Sequence, residues 1–186
     1  MPNLYVALAH YPVVNKSGAV IASAITNLDL HDISRAAKTY GVRSYYVVTP
    51  LEDQQVLAKK IIAHWTKGAG AGYNPSRGSA LELIRIKSSL AEAAAHIERV
   101  ENEYPKIVAT CARRHPSNIS FEDFRTLLDK GQPHLLVFGT AWGLAETLIS
   151  TADYILEPIK GAADYNHLSV RAAAAIILDR LFIQKK

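Results

Sequence analysis

The chain has 186 residues, 49% of them hydrophobic and 20% charged, with a formal net charge of +4. That is ordinary globular composition and excludes a disordered or collagen-like chain. No apolar run approaches the roughly 18 residues of a membrane-spanning helix, and one cysteine, Cys111, excludes an intramolecular disulfide or a cysteine-based metal cluster within the chain. The seven histidines show no H-E-x-x-H or similar ligand spacing, so no metal site is expected. The length suits a single domain over residues 1–186.

In chain order, Leu4 to Leu8 is an apolar run of strand character. No charged region and long apolar core precede it, so no leader is expected and a reducing, cytoplasmic location is. The stretch His10 to Gly18 follows as a turn in which Asn15 and Lys16 are either turn residues or contacts to a substrate. Asp29 to Tyr40 has helical spacing, and Ser44 to Val48 is a β-branched and aromatic strand stopped by Thr49-Pro50. Leu51 to Trp65 reads as a helix with Glu52 and Asp53 in its first turn and Lys59 and Lys60 later, the order favoured by the helix dipole. From Gly68 to Gly78, four glycines and a proline break all periodicity, so a loop is expected. Its Tyr73, Asn74 and Arg77 make it either a connector or a segment that closes over a substrate.

Ala80 to Ile86 reads as a strand, Ser88 to Glu101 as a helix and Ile107 to Thr110 as a strand. Ser120 to Lys130 is a helix opened by Ser120-x-x-Asp123, a capping box with Asp in place of Glu. Three punctuated turns fill the last third of the chain. The run His134 to Phe138 halts at Gly139-Thr140-Ala141-Trp142-Gly143-Leu144, and Tyr154 to Leu156 halts at Glu157-Pro158-Ile159-Lys160-Gly161. The third turn, Asn166-His167-Leu168-Ser169-Val170-Arg171, opens an Ala-rich helix from Leu168 to Leu181. A helix so apolar is buried on most sides, in the core or at a homodimer seam.

Strands alternating with helices predict an α/β fold, a mainly parallel sheet with helices on both faces. In such sheets ligands bind outside the carboxyl ends of the strands, which puts the three late turns on one rim. Neither G-x-G-x-x-G nor G-x-x-x-x-G-K-[ST] occurs, so neither a dinucleotide turn nor a P-loop is offered.

A strand ending in Phe138-Gly139, a strand followed by Glu157-Pro158-Ile159, and Asn166-x-x-Ser169-Val170 at the head of an Ala-rich helix together resemble the SPOUT superfamily of trefoil-knotted methyltransferases. Within it the chain resembles, over nearly its whole length, the bacterial RNA methyltransferase-like family related to tRNA guanine-N1 methyltransferases. The resemblance implies a deep C-terminal trefoil knot, a homodimer, and S-adenosylmethionine held largely by backbone. The cofactor shell it implies is Phe138, Gly139, Thr140, Gly143, Leu156, Pro158, Ile159, Leu168 and Ser169, with Gly161 and Asn166 beside them.

Many ribose methyltransferases of the superfamily carry Asn-x-Gly-x-x-x-Arg-Thr-Ala-x-x-Phe-Gly. This chain reads Asp29 to Gly41 with the arginine-to-glycine spacing kept and the leading Asn and Gly replaced by Asp29 and His31. The resemblance implies a catalytic Arg35, acting from across the cofactor or from a partner subunit. A solvated arginine on a helix whose Ile33, Ala36, Ala37 and Tyr40 face a core accounts for the same residue.

Methyl transfer from a sulfonium needs alignment of the nucleophile and removal of a proton, and no metal. Asp164 and His167 are the candidates beside the cofactor turns, Asp164 being either a base toward a ring nitrogen or a loop cap. Asn15, Lys16, Arg77, Arg113 and Arg114 are candidate RNA contacts, since Lys and Arg bind phosphates without reading sequence. They are equally readable as solvated loop residues. The expected function is S-adenosylmethionine-dependent methylation of tRNA or rRNA; the alternative is a catalytically weak RNA-binding or cofactor-sensing module.

Overall fold

The computed structural model describes residues 3–163 and 165–182. Three apolar runs, β1 (Leu4–Ala9), β4 (Tyr45–Val48) and β8 (His134–Gly139), form the middle of a parallel sheet and are buried along almost their full length. Strands covered on both faces read as continuous apolar runs, as these do. Outward from them lie β5 (Ile84–Lys87) on one side and β6 (Lys106–Thr110), β9 (Tyr154–Leu156) and β7 (Asn118–Ile119) on the other, giving the order β5-β4-β1-β8-β6-β9-β7. Ala9 pairs with Gly139 at the carboxyl rim. Residues 111–117 join β6 to β7, yet β9, later in the chain, lies between those two strands and pairs with both.

Side chains alternate across the sheet. Leu4, Val6, Leu8, Leu136 and Phe138 face the core shared with α1 (Asn27–Thr39), α6 (Phe121–Asp129) and α8 (Val170–Phe182). Tyr5, Ala7, Ala9, Leu135 and Val137 face α5 (Leu90–Glu101) and the short α7 (Glu146–Ile149). The Ser120–Asp123 capping box forms at the head of α6, and Ser89 caps α5.

The stretch from Gly68 to Gly78 is not a loop. After α2 (Glu52–Thr66) it folds as α3 (Ala69–Tyr73) and α4 (Pro75–Leu81), with Asn74 accepting from the Arg77 amide and Pro75 in the first turn. The glycines serve packing here: a Cβ at Gly78 would stand 2.6 Å from the Trp65 carbonyl oxygen, and one at Gly70 would stand 2.7 Å from the Trp65 ring. Close approach to α2 overrides their poor helix propensity. Because Ala80 and Leu81 complete α4, the strand expected from Ala80 begins only at Ile84. The hairpin of β2 (Val13–Val14) and β3 (Val20–Ile21), like β7, is too short for periodicity to reveal.

His134, the first residue of β8, and His10, just past the carboxyl end of β1, are both buried. Burial, only partly offset by the Asp29 carboxylate, holds the His10 imidazole below its ordinary value, and burial does the same to His134 against the Gln132 carbonyl. The unfolded chain takes up protons near pH 6.5 where the fold refuses them. These groups therefore leave stability intact above about pH 6.5 and erode it as pH falls below that value, by at most about 1.4 kcal/mol per pH unit for each. Thermal melts at stepped pH are expected to show this decline, and His134→Gln is expected to flatten it; an unchanged slope in that variant would remove His134 from the cause.

Candidate functional site

A cavity of about 900 Å³ opens at the carboxyl ends of β8, β6 and β9. Its walls are the 139–144 turn, the segment from Glu157 to Ile159, the segment from Asn166 into the head of α8, the 111–113 loop and the β2–β3 hairpin. Phe138, Leu144, Pro158, Ile159, Leu168 and Ile177 make much of the surface apolar, while Thr110, Thr140 and Ser169 contribute hydroxyls. The size is that of ligand cavities, about 300–1,000 Å³, and the mixture of apolar wall with few polar groups is theirs too.

The 139–144 turn is held on all sides. Thr140 donates through its amide at 3.3 Å and its hydroxyl at 3.1 Å to the Ala9 carbonyl, and Gly143 donates to the Thr140 carbonyl at 3.0 Å. The hairpin then joins it: Trp142 donates to Val14 at 3.0 Å, Val14 to Gly143 at 3.0 Å, and Ala145 to Pro12 at 3.1 Å. Ser23 bridges the Thr140 hydroxyl and His10 Nδ1, the latter at 3.0 Å. Gly139 is needed because a Cβ there would lie 2.6 Å from the Leu144 nitrogen. At Gly143, where φ is +111°, an added Cβ would meet no atom within 4 Å; it would stand in open space at the cavity wall.

Neighbouring elements tie down the other two turns. The Glu157 carboxylate accepts from the Phe121 amide at 3.0 Å, and the Glu157 amide donates to Ile119 at 2.9 Å, so this residue fastens the exit of β9 to the start of α6. Asn166 Nδ2 donates to the Ala112 carbonyl at 3.2 Å, joining the last turn to the 111–113 loop. Ser169 caps α8 by accepting from the Ala172 amide at 3.2 Å.

Nine of the expected cofactor residues line the cavity: Phe138, Gly139, Thr140, Gly143, Pro158 and Ile159, then Asn166, Leu168 and Ser169. Leu156 lies beneath it, buried in β9, and Gly161 stands outside it, exposed. His167, Asn15, Lys16 and Arg113 also line it, although Asn15 Oδ1 is engaged by its own turn, accepting from the Ser17 and Ala19 amides at 3.0 Å. Arg114 is exposed beyond the lining. Arg77 lies 4.6 Å over the Trp65 ring, where it packs α4 onto α2 away from the cavity. Arg35 is exposed on α1 and does not line the cavity. Asp164 falls outside the described residues.

One charged pair at the site was not foreseen. Arg171, in the first turn of α8, donates through Nη1 to Asp29 Oδ1 at 3.0 Å, and its Nε stands 3.4 Å from Asp32 Oδ2. A cation at a helix N-terminus opposes the helix dipole and calls for a carboxylate partner. That was the available signal, and Asp29, standing where the ribose-methyltransferase pattern has Asn, was its counterpart. Among the described residues no three His, Cys, Asp or Glu side chains come together as metal ligands, and no helix is long and apolar enough to cross a membrane.

The cavity's size and largely apolar wall suit a nucleoside-sized ligand such as S-adenosylmethionine. A family model described as SAM-dependent RNA methyltransferase matches residues 3–183. A tRNA (guanine-N(1)-)-methyltransferase of Oleidesulfovibrio alaskensis is 49% identical over 179 residues, covering 96% of this chain and 42% of that protein. The chain thus spans less than half the length of that relative. An uncharacterized protein of Aquifex aeolicus is 41% identical over 185 residues, 99% of this chain and 90% of its own length. The SpoU methyltransferase AviRb of Streptomyces viridochromogenes, solved in complex with AdoMet, shares the fold at a TM-score of 0.56 and 21% identity over 97% of this chain and 57% of its own. With a match running from β1 to the end of α8, the chain belongs to the SAM-dependent RNA methyltransferase family.

Proposed function

We propose that the chain binds S-adenosylmethionine in the rim cavity and transfers its methyl group to a nucleotide of tRNA or rRNA. The observation that carries this reading is one cavity shared by all three late turns, nine of whose residues are those the cofactor shell called for. The bound cofactor supplies an electrophilic methyl, so the chain's own residues have to align the acceptor and take its proton. His167 lines the cavity and is the described side chain suited to hold that proton. Asp164 stands three residues before it in sequence and is proposed as the base where the acceptor is a ring nitrogen.

Lys16 and Arg113, on two different loops of the cavity, are proposed to take the RNA phosphates, with Arg114 beside them. The name of the Oleidesulfovibrio relative favours tRNA and guanine N1 as the first substrate to assay. The lie of β9 between β6 and β7, inside the connection made by residues 111–117, supports threading of the C-terminal segment as a trefoil knot. A single domain, a homodimer and a cytoplasmic location complete the proposal.

Arg35 favours a second reading. In one protomer it lies outside the cavity, so catalysis through it requires a second copy to supply it; if transfer depends on Arg35, a lone copy would act as a cofactor-sensing module. Calorimetric titration with S-adenosylmethionine and S-adenosylhomocysteine, followed by transfer of labelled methyl to bulk tRNA and rRNA, separates the cases. Micromolar cofactor binding with methylated RNA is the expected result. Binding without transfer supports the sensing module, and absence of binding to folded protein ends both readings.

A further inference from the structure

Trp142 is 61% exposed, yet its backbone is among the more firmly held at the cavity. Its amide donates to Val14 at 3.0 Å, and the residue before it, Ala141, has φ +52°, a left-handed conformation that costs a non-glycine residue energy. Such strained turns gather at ligand clamps. A large apolar side chain is thus presented to solvent by a rigid turn, at the wall of the cavity that also holds Lys16 and Arg113. The pairing of Val13 with Leu144 sets the hairpin antiparallel to this turn, so Asn15 and Lys16 leave Val14 alongside Trp142. An exposed flat ring on a cavity wall that also carries two cations offers what a base and its adjoining phosphates need.

We propose that Trp142 is the stacking platform for an unpaired nucleobase of the substrate RNA, with Lys16 and Arg113 on the adjoining phosphates. This rests on the RNA methyltransferase reading and adds to it a preference. A paired base shows its edges and hides its faces, so only a loop, bulge or flipped nucleotide can lie on the indole. The platform therefore selects single-stranded RNA over duplex, and it does so without reading sequence, since every base has a π-face.

The test compares wild type, Trp142→Phe and Trp142→Ala for binding of one labelled oligoribonucleotide, single-stranded and annealed to its complement. Titration with S-adenosylhomocysteine serves as the cofactor control and circular dichroism as the fold control. Trp142→Ala is expected to weaken single-strand binding about five- to a hundredfold, the range for one lost base–aromatic stack. Trp142→Phe should keep most of that affinity, duplex binding should be equal in all three, and single strands should quench indole emission in the wild type. Unchanged single-strand affinity in Trp142→Ala, or an equal loss for single strand and duplex, overturns the proposal. So does a smaller sedimenting species in Trp142→Ala, which would mean that a second copy of the chain covers the indole. Quenching by RNA in a protein that binds no cofactor would sink the methyltransferase reading and leave the platform standing; cofactor binding with no RNA binding would do the reverse.

Discussion

Gly139→Ala is expected to lower cofactor affinity by about five- to a hundredfold, the equivalent of about 1–3 kcal/mol of overpacking at the cavity wall. The added methyl would lie 2.6 Å from the Leu144 nitrogen, 2.9 Å from Leu144 Cγ and 3.0 Å from the Gly143 carbonyl carbon, and two of these three atoms are backbone. They have little room to retreat, because the turn they belong to is held by Val14 and Pro12 of the hairpin and by Ala9 of β1. The methyl therefore displaces the cavity wall. Overpacking of this kind costs about 1–3 kcal/mol, or about 2–12 °C in Tm for a chain of this size. Calorimetry with S-adenosylhomocysteine and a thermal scan measure both effects. A Gly139→Ala protein that binds as tightly as wild type would show that the turn does not bound the cofactor site. At Gly143→Ala the methyl meets no protein atom, so any loss there comes from the backbone at φ +111° and from the cavity space the methyl enters, not from crowding of the turn.

Arg171→Ala is expected to be the most destabilising of the charge removals at the site. Asp29 is only 4% exposed, so loss of its partner leaves a buried carboxylate without a compensating charge. Removing one member of a fully buried pair costs about 3–5 kcal/mol. The Arg171 side chain is 31% exposed, however, and water reaches this pair, which brings the expectation to about 1–3 kcal/mol. At about 2–4 °C per kcal/mol that is a fall in Tm of about 2–12 °C. Asp29→Asn placed on Arg171→Ala should recover much of the loss, because the uncompensated charge is gone. If the double variant is no more stable than Arg171→Ala alone, the buried charge is not the source. Arg35→Ala, on the exposed side of α1, should stay within about 0.5 kcal/mol of wild type. Its effect is expected in methyl transfer, and only in an assembly where a second copy supplies it.

The elements with sustained periodicity were legible in the chain. Leu4 to Leu8, Asp29 to Tyr40, Leu51 to Trp65 and Ser120 to Lys130 are found within two residues of where their patterns placed them. Repeated apolar spacing and local capping are short-range signals, carried by residues close in the chain. That the three late turns share one rim was legible for a related reason: Gly139, Pro158 and Ser169 stand at or just past the ends of elements, where punctuation is strongest. The helices α3 and α4 were not, because the chain carries the same glycines whether they loosen a loop or admit a neighbouring helix, and only the nearness of Trp65 decides between the two.

By itself, then, the sequence determined the α/β class, the order of strand and helix, the rim on which a ligand would lie and the family resemblance. The tertiary structure alone decided the partners of the charged side chains. Arg77 went to Trp65, Arg171 to Asp29 across 142 residues of chain, and Arg35 to the solvent side of its helix. Periodicity tells which face of an element is apolar, but a charge is placed by whatever lies opposite it in space, and for Arg171 that group comes from 142 residues away.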